Sequence, residues 1–351
     1  MVGPSSASVA LRERVAAPTP VVAAPSVAVV VVNFCQWHNT ARLVRQLRRS
    51  HATKSGAARI VVVDNGSPSS AGSRKLEKLH DVILDRAGEN LGFARGVNRG
   101  CRGVEADWIL LLNPDVTVDD GFLDDALAAA EATRRDHPQT GIVGLKLKNR
   151  DGTPQPSCGA WPTLANTLTG IAAPRWRRKC QIAPGETTGQ VPWATGGCLM
   201  IRRDCFAALA GFDERYFLYY EDVDFCRRAV AAGYDVRFTP AAAATHHWPL
   251  HSRPVPAPLR LITRNALLTY ARTYWPRWQA WCLGRIVSLE ARFRDWWARR
   301  AGNPTAAGFY RQIRTMVRDL ETGRSDRVRR GIIQAAEHLV AVAAAQDGRT
   351  K

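Results

Sequence analysis

Several things are missing from this 351-residue chain, and each absence excludes a class of protein. No apolar run reaches the roughly 18 to 20 residues that a spanning helix needs. The longest β-branched stretch, Val27 to Val32, is far shorter and ends in Asn33. The eight cysteines contain no Cys-x-x-Cys pair, so no zinc or redox motif is visible. A disulfide framework is not expected at this size, and reduced thiols in a cytosolic compartment are the expectation. Residues 33–40, which follow the first apolar run, contain no glycine, so the Gly-rich phosphate loop of a nucleotidyltransferase is absent there. Acidic residues are also scarce: 31 Asp+Glu stand against 49 Lys+Arg, a formal net charge of +18.

That excess has an address. Residues 251–351 carry 19 Lys+Arg against 7 Asp+Glu, so 12 of the 18 net positive charges lie there. Five of the 11 tryptophans lie there too: Trp275, Trp278, Trp281, Trp296 and Trp297. A basic, Trp-rich segment suits nucleic acid, an anionic membrane or an acidic ligand.

Three segments follow from the pattern. Residues 1–26, with prolines at 4, 18, 20 and 25, read as a disordered leader that resembles a secretory signal poorly. Residues 27–250 alternate strand and helix. Val27–Phe34 and Ile60–Val63 have the continuous β-branched character of strands buried on both faces. Val82–Leu84 and Trp108–Leu112 follow as strands, Gly121–Arg135 as a helix and Ile142–Leu147 as a strand. Glu221–Ala232 reads as a helix stopped by Gly233, and Asp235–Thr239 as a short strand. This alternation predicts an α/β domain: an open, mostly parallel, Rossmann-like central sheet with helices on both faces. Residues 251–351 read as a helical C-terminal extension, in which Ile286, Val287, Leu289, Phe293, Trp296 and Trp297 are expected on one helical face, with arginines beside them. Phe309–Leu320 and Val328–Val342 are expected to be amphipathic helices.

Ligands of an open parallel sheet bind beyond the carboxyl ends of its strands. Asn33, Asp64-Asn65 and Asn113-Pro114-Asp115 each sit at such an end, and the Asn90-Leu91-Gly92-Phe93 loop adds a fourth cluster. Asp115, after a stiffening proline, can hold a hard divalent cation, Mg²⁺ or Mn²⁺. The rival reading is a turn aspartate near a helix start. Glu221-Asp222-Val223-Asp224 places three carboxylates in one helical first turn, where the helix dipole keeps a base ionised. Asp224 and Arg228 have the spacing of a helix-face ion pair, and Tyr216, Phe217, Tyr219 and Tyr220 supply an aromatic wall. Thr245-His246-His247 follows as a candidate ligand site or an ordinary histidine pair.

In this order the clusters resemble family 2 glycosyltransferases with a GT-A fold, in their rhamnosyltransferase-like branch. The stretches that carry the resemblance are VVVVNF (29–34), VVDNGS (62–67), ENLGFARGVNRG (89–100), LLNPDV (111–116), WATGGCLMIRR (193–203), GFDERYFLYYEDVDFCRR (211–228) and ATHHW (244–248). The resemblance implies that Asn113-Pro114-Asp115 takes the place of the family's Asp-x-Asp motif. Asp115 would then bind the metal, Asn113 would lie near the ribose, Asp64 at the base and Asn33 along the nucleotide pocket. It implies that Asn90, Gly92, Phe93 and Asn98 shape the floor beneath nucleotide and sugar. It also implies that Trp193, Gly196 and Gly197 face donor sugar and acceptor. Asp222 matches the catalytic base, Glu221 orients it or the acceptor, and His246 completes the metal site. Where the family usually reads Asn-Tyr-Asn, this chain has Asn33-Phe34-Cys35. The implied activity is inverting, metal-dependent transfer of a sugar, rhamnose from a dTDP donor at family level, to a glycan or polyprenyl-diphosphate-linked acceptor in cell-surface polysaccharide synthesis. The extension lies outside the resemblance. Its basic Trp-rich helix reads either as an interfacial helix on anionic lipid or as a helix packed on the α/β domain with a solvated basic side. A lipid-linked acceptor favours the first, with peripheral contact at the inner face of the cell membrane and no nucleic acid. The alternatives are another nucleotide-sugar-processing enzyme, or a non-catalytic basic module that binds nucleic acid.

Overall fold

A computed structural model describes residues 26–172, 187–248 and 255–347. The proposed leader, apart from Ser26, therefore lies outside the described residues, as do Pro249 and Leu250. The chain runs β1 (Val27–Asn33), α1 (Trp37–Leu47), α2 (His51–Lys54), β2 (Ala58–Asp64), α3 (Ala71–Leu76), β3 (Val82–Arg86), α4 (Phe93–Gly100), β4 (Trp108–Leu112), β5 (Val116–Thr117) and α5 (Phe122–Asp136). It continues through β6 (Thr140–Lys148), β7 (Cys158–Gly159), α6 (Leu164–Ala172), β8 (Gly189–Gln190), β9 (Trp193–Ala194), β10 (Cys198–Arg202), α7 (Arg203–Ala208), α8 (Glu221–Ala231) and β11 (Asp235–His246). Four helices complete it: α9 (Ala257–Tyr274), α10 (Arg277–Arg300), α11 (Pro304–Glu321) and α12 (Ser325–Asp347).

The main sheet has the order β3-β2-β1-β4-β10-β6-β11-β5, with β8 added beside β11. Its first four strands are parallel, and β10 is the antiparallel insert between β4 and β6. Side-chain alternation splits the apolar strands between two cores. Val27, Val29 and Val31 face the layer of α1 and α5. Ala28, Val30 and Val32 face the layer of α4, α8 and the C-terminal helices. A strand buried on both faces has no polar position except at its ends, which is why the carboxyl-end residues form the site. Register aligns them: Asn33 lies beside Asp64, and Asp64 beside Arg86.

Strand β11 departs from expectation. Pro240, which lacks an N–H, marks the sequence-based stop after Thr239. In the structure a register shift between Thr239 and Ala243 absorbs the proline, and pairing with β6 resumes through Thr245. The strand thereby reaches His246, which pairs with Val116 of β5.

The C-terminal helices pack on the catalytic layers as one continuous core that includes Leu261, Val287, Ile313 and Ile332. Tyr270 and Tyr274 of α9 lie on α8, and the Trp275 indole donates to the Pro162 carbonyl at 2.8 Å. The single apolar face expected on α10 splits. Val287 turns inward, whereas Leu289, Phe293, Trp296 and Trp297 turn out. The buried stripe instead follows Ala280, Leu283, Gly284, Val287 and Ala291, and Gly284 lies against Val317 of α11. Among the described residues no helix is long and apolar enough to cross a membrane.

Glu290 ties α9 to α10 by accepting from Arg260 (3.3 Å), Arg264 (2.9 Å) and Arg294 (2.8 Å). Burial works against its charge, but the Arg264 and Arg294 guanidinium groups outweigh burial and hold the carboxyl below the usual range. A depressed carboxyl contributes stability above its unfolded pKa of about 4.3 and loses it as pH falls through the folded value. Glu290→Gln is expected to cost about 1–3 kcal/mol at neutral pH. In denaturant titrations the gap to wild type should close as the pH is lowered through the carboxylate range.

Candidate active site

The site is a ring of loops at the carboxyl ends of β1, β2 and β4, closed by the loop before β10, the start of α8 and the end of β11. It begins at Asp64. This carboxylate accepts from Arg86 (3.1 Å), the Ser67 backbone N–H (3.1 Å) and the Asn33 amide (3.3 Å). Asn33 itself is fully buried. Its amide is spent on Asp64 and Ser67, and its oxygen accepts from Thr40. Asn33 therefore braces Asp64 from below.

The next link is the 89–93 loop. Asn65 donates to the Gly92 carbonyl at 2.9 Å, and Asn90 accepts from the Gly92 N–H at 3.1 Å. Gly92 has φ +84°, and a Cβ there would lie 2.5 Å from the Phe217 carbonyl oxygen. Only glycine fits such an approach. It allows the Phe93 N–H to donate to that oxygen at 2.7 Å, joining the loop to the aromatic segment before α8. Asn98 belongs to the same scaffold: it clamps Phe212 through both backbone groups, at 2.8 and 2.9 Å. That side chain holds the 211–214 turn.

Asp222 lies in the first turn of α8. Its Oδ2 accepts from the Gly196 N–H at 3.1 Å and the Thr195 hydroxyl at 3.2 Å. Its Oδ1 accepts from the Val223 N–H at 2.9 Å. The aromatic residues just before the helix, Tyr219 and Tyr220, both adopt left-handed backbone with φ 72° and 67°. That conformation costs of order 1–3 kcal/mol per non-glycine residue, and such strain clusters at functional sites. Glu221, 5% exposed, starts the helix beside Asp222. The third carboxylate, Asp224, is fully buried and paired with Arg228 at 2.8 Å, as its spacing suggests, and accepts from Tyr274 at 2.7 Å. Burial and that hydrogen bond push the Tyr274 hydroxyl well above the ordinary phenol range, so it stays a donor.

Gly196 and Gly197 close the ring. Gly196 lies against the Phe93 ring and Asp222, and the Gly197 carbonyl accepts from the Asn113 N–H at 3.2 Å. Trp193, two residues before this loop's first polar contact, is fully buried and donates to the Ala160 carbonyl. It pairs with β7 through Gly159 and is buried in the core beneath the glycine loop.

The last link joins distant chain segments. Asp115 Oδ1 and His246 Nε2 stand 3.3 Å apart, and the His247 N–H donates to the Asp115 carbonyl at 3.0 Å. On its other side, His246 Nδ1 is 3.0 Å from the side-chain amide of Gln155. Gln155 Oε1 is buried without a hydrogen-bond partner. Turning that amide over would let Oε1 accept from Nδ1–H and leave Nε2 a lone pair toward Asp115. Gln155 had no sequence signal, because it lies in a loop-rich stretch without periodicity. Among the described residues no group of three His, Cys, Asp or Glu side chains could hold a metal. Asp115 and His246 offer a two-donor site, open to ligands from a substrate.

A cavity of about 850 Å³ lies elsewhere, at the amino end of β4, lined by Trp108, Glu131, Arg134, Arg202 and Asp204. Its charges pair among themselves, Arg134 with Glu131 and Arg202 with Asp204. It is far along the strand from the carboxylates, and the hydrogen-bonded ring is the stronger site.

Comparison with known proteins agrees with this geometry. The sequence profile described as "Glycosyltransferase like family 2" matches residues 24–266. The chain belongs to this family. The glycosyltransferase is 31% identical over 239 residues to the N-acetylglucosaminyl-diphospho-decaprenol L-rhamnosyltransferase of Mycobacterium tuberculosis, covering 62% of this chain and 75% of that protein. It is 26% identical over 146 residues to the rhamnosyltransferase WbbL of Escherichia coli K12, covering 42% of this chain and 54% of WbbL. In fold it is similar to GalNAc-T7 crystallised with UDP, GalNAc and Mn²⁺, with a TM-score of 0.52 and 16% identity over 73% of this chain and 49% of that one. The fold is GT-A, with the C-terminal helices added.

The Gly92 approach gives a sharp test. Gly92→Ala should destabilise the glycosyltransferase by about 1–3 kcal/mol and raise amide exchange in residues 89–93. Gly88 has a similar φ of +80° but open space around it. Gly88→Ala should cost less, because it meets the strain without the clash.

Proposed function

We propose that this glycosyltransferase moves a sugar, rhamnose by analogy with its relatives, from a nucleoside-diphosphate donor to a hydroxyl of a lipid-linked glycan, with inversion at the anomeric carbon. The observation that carries this reading is the hydrogen-bonded ring from Asp64 through Gly92, Asp222 and Gly197 to the Asp115–His246 pair. It supplies a polar anchor at one end, a base in the middle and an open two-donor site.

Asp64, held by Arg86 and Asn33, anchors the base end of the donor. The residues present fit a divalent cation. Two donors 3.3 Å apart can both reach one ion at about 2.1 Å, and His246 gains its free Nε2 when Gln155 turns its oxygen toward Nδ1. Mg²⁺ or Mn²⁺ held by Asp115 and His246, its shell completed by diphosphate oxygens, would offset the charge that develops on the leaving group. Asp222 takes the acceptor hydroxyl proton as that oxygen attacks. Two backbone N–H groups and a hydroxyl orient its carboxylate, and the start of α8 favours its charge. One base and one displacement give inversion.

The relative named for its action on a decaprenol-diphosphate substrate supports an acceptor of that class, a polyprenyl-diphosphate sugar. The enzyme would then work peripherally at the membrane face where such an acceptor presents its head, the cytoplasmic one. The reading as a non-catalytic nucleic-acid module loses its support, because the family match over residues 24–266 is to glycosyltransferases.

A screen of nucleotide sugars with Mn²⁺, following released nucleoside diphosphate, should find a donor whose turnover falls about 10²–10⁴-fold in Asp222→Asn. Asp115→Ala and chelator should each abolish it. Turnover that survives all three would overturn the assignment. Gln155→Leu should weaken Mn²⁺ binding about 10–100-fold in a spin-resonance titration of free ion. An unchanged affinity would remove Gln155 from the metal site.

A further inference from the structure

Ten large apolar side chains are substantially exposed among the described residues, and six of them lie on one helix, α10. Trp278, Trp281, Leu289, Phe293, Trp296 and Trp297 are each between 46% and 65% exposed. Spacings of three and four place them along one side of α10, opposite its buried small-residue stripe. Arg285, Arg292 and Arg300 lie on the same side. Arg285 stands over the Trp281 ring at 5.3 Å and Arg300 over the Trp296 ring at 4.5 Å. From Trp278 to Trp297 the ridge extends about 29 Å at 1.5 Å per residue.

We propose that this outer face of α10 docks on an anionic lipid bilayer. The inner face already satisfies folding, so the outer face is not needed for the core. The apolar members are mostly tryptophan, which prefers the headgroup boundary, where its ring is buried and its N–H stays wet. Arg285 is already paired with Glu321 of α11 at 2.6 Å, whereas Arg292 and Arg300 can reach lipid phosphates, and each cation near an anionic surface adds to the attraction. A second copy of the chain fits this face poorly. Two such ridges would bring Arg285, Arg292 and Arg300 against their own copies, an arrangement of like charges that costs energy. The proposal rests on transfer to a lipid-linked acceptor for its purpose, and on the ridge alone for its physics. The link to the site is direct: α10 packs beside α9, whose Tyr274 holds Asp224, two residues from Asp222.

The test is co-sedimentation of the full chain with vesicles of phosphatidylcholine alone or mixed with phosphatidylglycerol. Binding is expected to the mixed vesicles and to weaken as salt is raised. Arg292→Glu with Arg300→Glu should weaken it about 30-fold or more. Trp278→Ser with Trp281→Ser, Phe293→Ser and Trp297→Ser should abolish it. Circular dichroism and unchanged release of nucleoside diphosphate in the absence of lipid would show that both variants are folded. No binding to mixed vesicles, or binding that both variants retain, would overturn the proposal. So would a dimer in sedimentation that the tryptophan variant dissolves. Vesicle binding by a chain that turns over no nucleotide sugar would sink the proposed reaction and leave the docking face standing.

Discussion

Asp224 is a carboxylate with no access to solvent, and such a charge persists only when its partners satisfy it. Arg228 supplies the opposite charge from one turn along α8. Tyr274 supplies a hydroxyl from α9. Arg228 then spends its remaining donors on the Leu209 and Gly211 carbonyls. One buried ion therefore fixes three things together: the pitch of the first turn of α8, the turn that precedes it and the seat of the C-terminal helices. Asp222 inherits its position from this arrangement. The neighbouring Arg227 adds a second tie, stacked on Tyr274 at 4.3 Å and bonded to the Tyr270 hydroxyl. Arg329 of α12 reaches the Leu91 carbonyl at 3.2 Å, so the extension also touches the donor-side loop. The added helices are part of the site's frame.

The ring is built largely from backbone. Gly92, Gly196 and Gly197 contribute N–H or carbonyl groups, and at Gly92 a side chain would hold the two loops apart. Side chains at the strand ends then work on prepositioned loops. This division explains why the asparagines fall into supporting places. Asn33, Asn65 and Asn98 each offer a donor and an acceptor at once, which suits them to tie one loop to another inside the protein.

Much of the frame was legible in the residues. The valine runs, Trp108–Leu112 and the Gly233 stop follow from periodicity and turn chemistry, and the polar strand ends mark the site's side of the sheet. Register accounts for what was not legible. Which of the polar residues face a ligand depends on burial, and burial depends on neighbours far away in sequence. Asn33 and Trp193, both at polar or glycine-rich segment ends in the chain, are fully buried in space. Gln155 carries no pattern at all, and only its 3.0 Å approach to His246 gives it a role. On α10 the helical period was right, but the division between inward and outward positions awaited the packing of α11.

By itself the sequence determined the α/β order, the carboxylates at the strand ends and in the acidic first turn of α8, and the excess of basic and Trp residues at the C-terminal end. These are local properties: hydrophobic period, turn residues and charge along the chain. Only the tertiary structure decided that Asp115 meets His246 across about 130 residues. A bulge carries β11 past Pro240, and pairing with β5 sets the last step. No local rule predicts that meeting, because the strand partner that overrides the proline lies elsewhere in the chain.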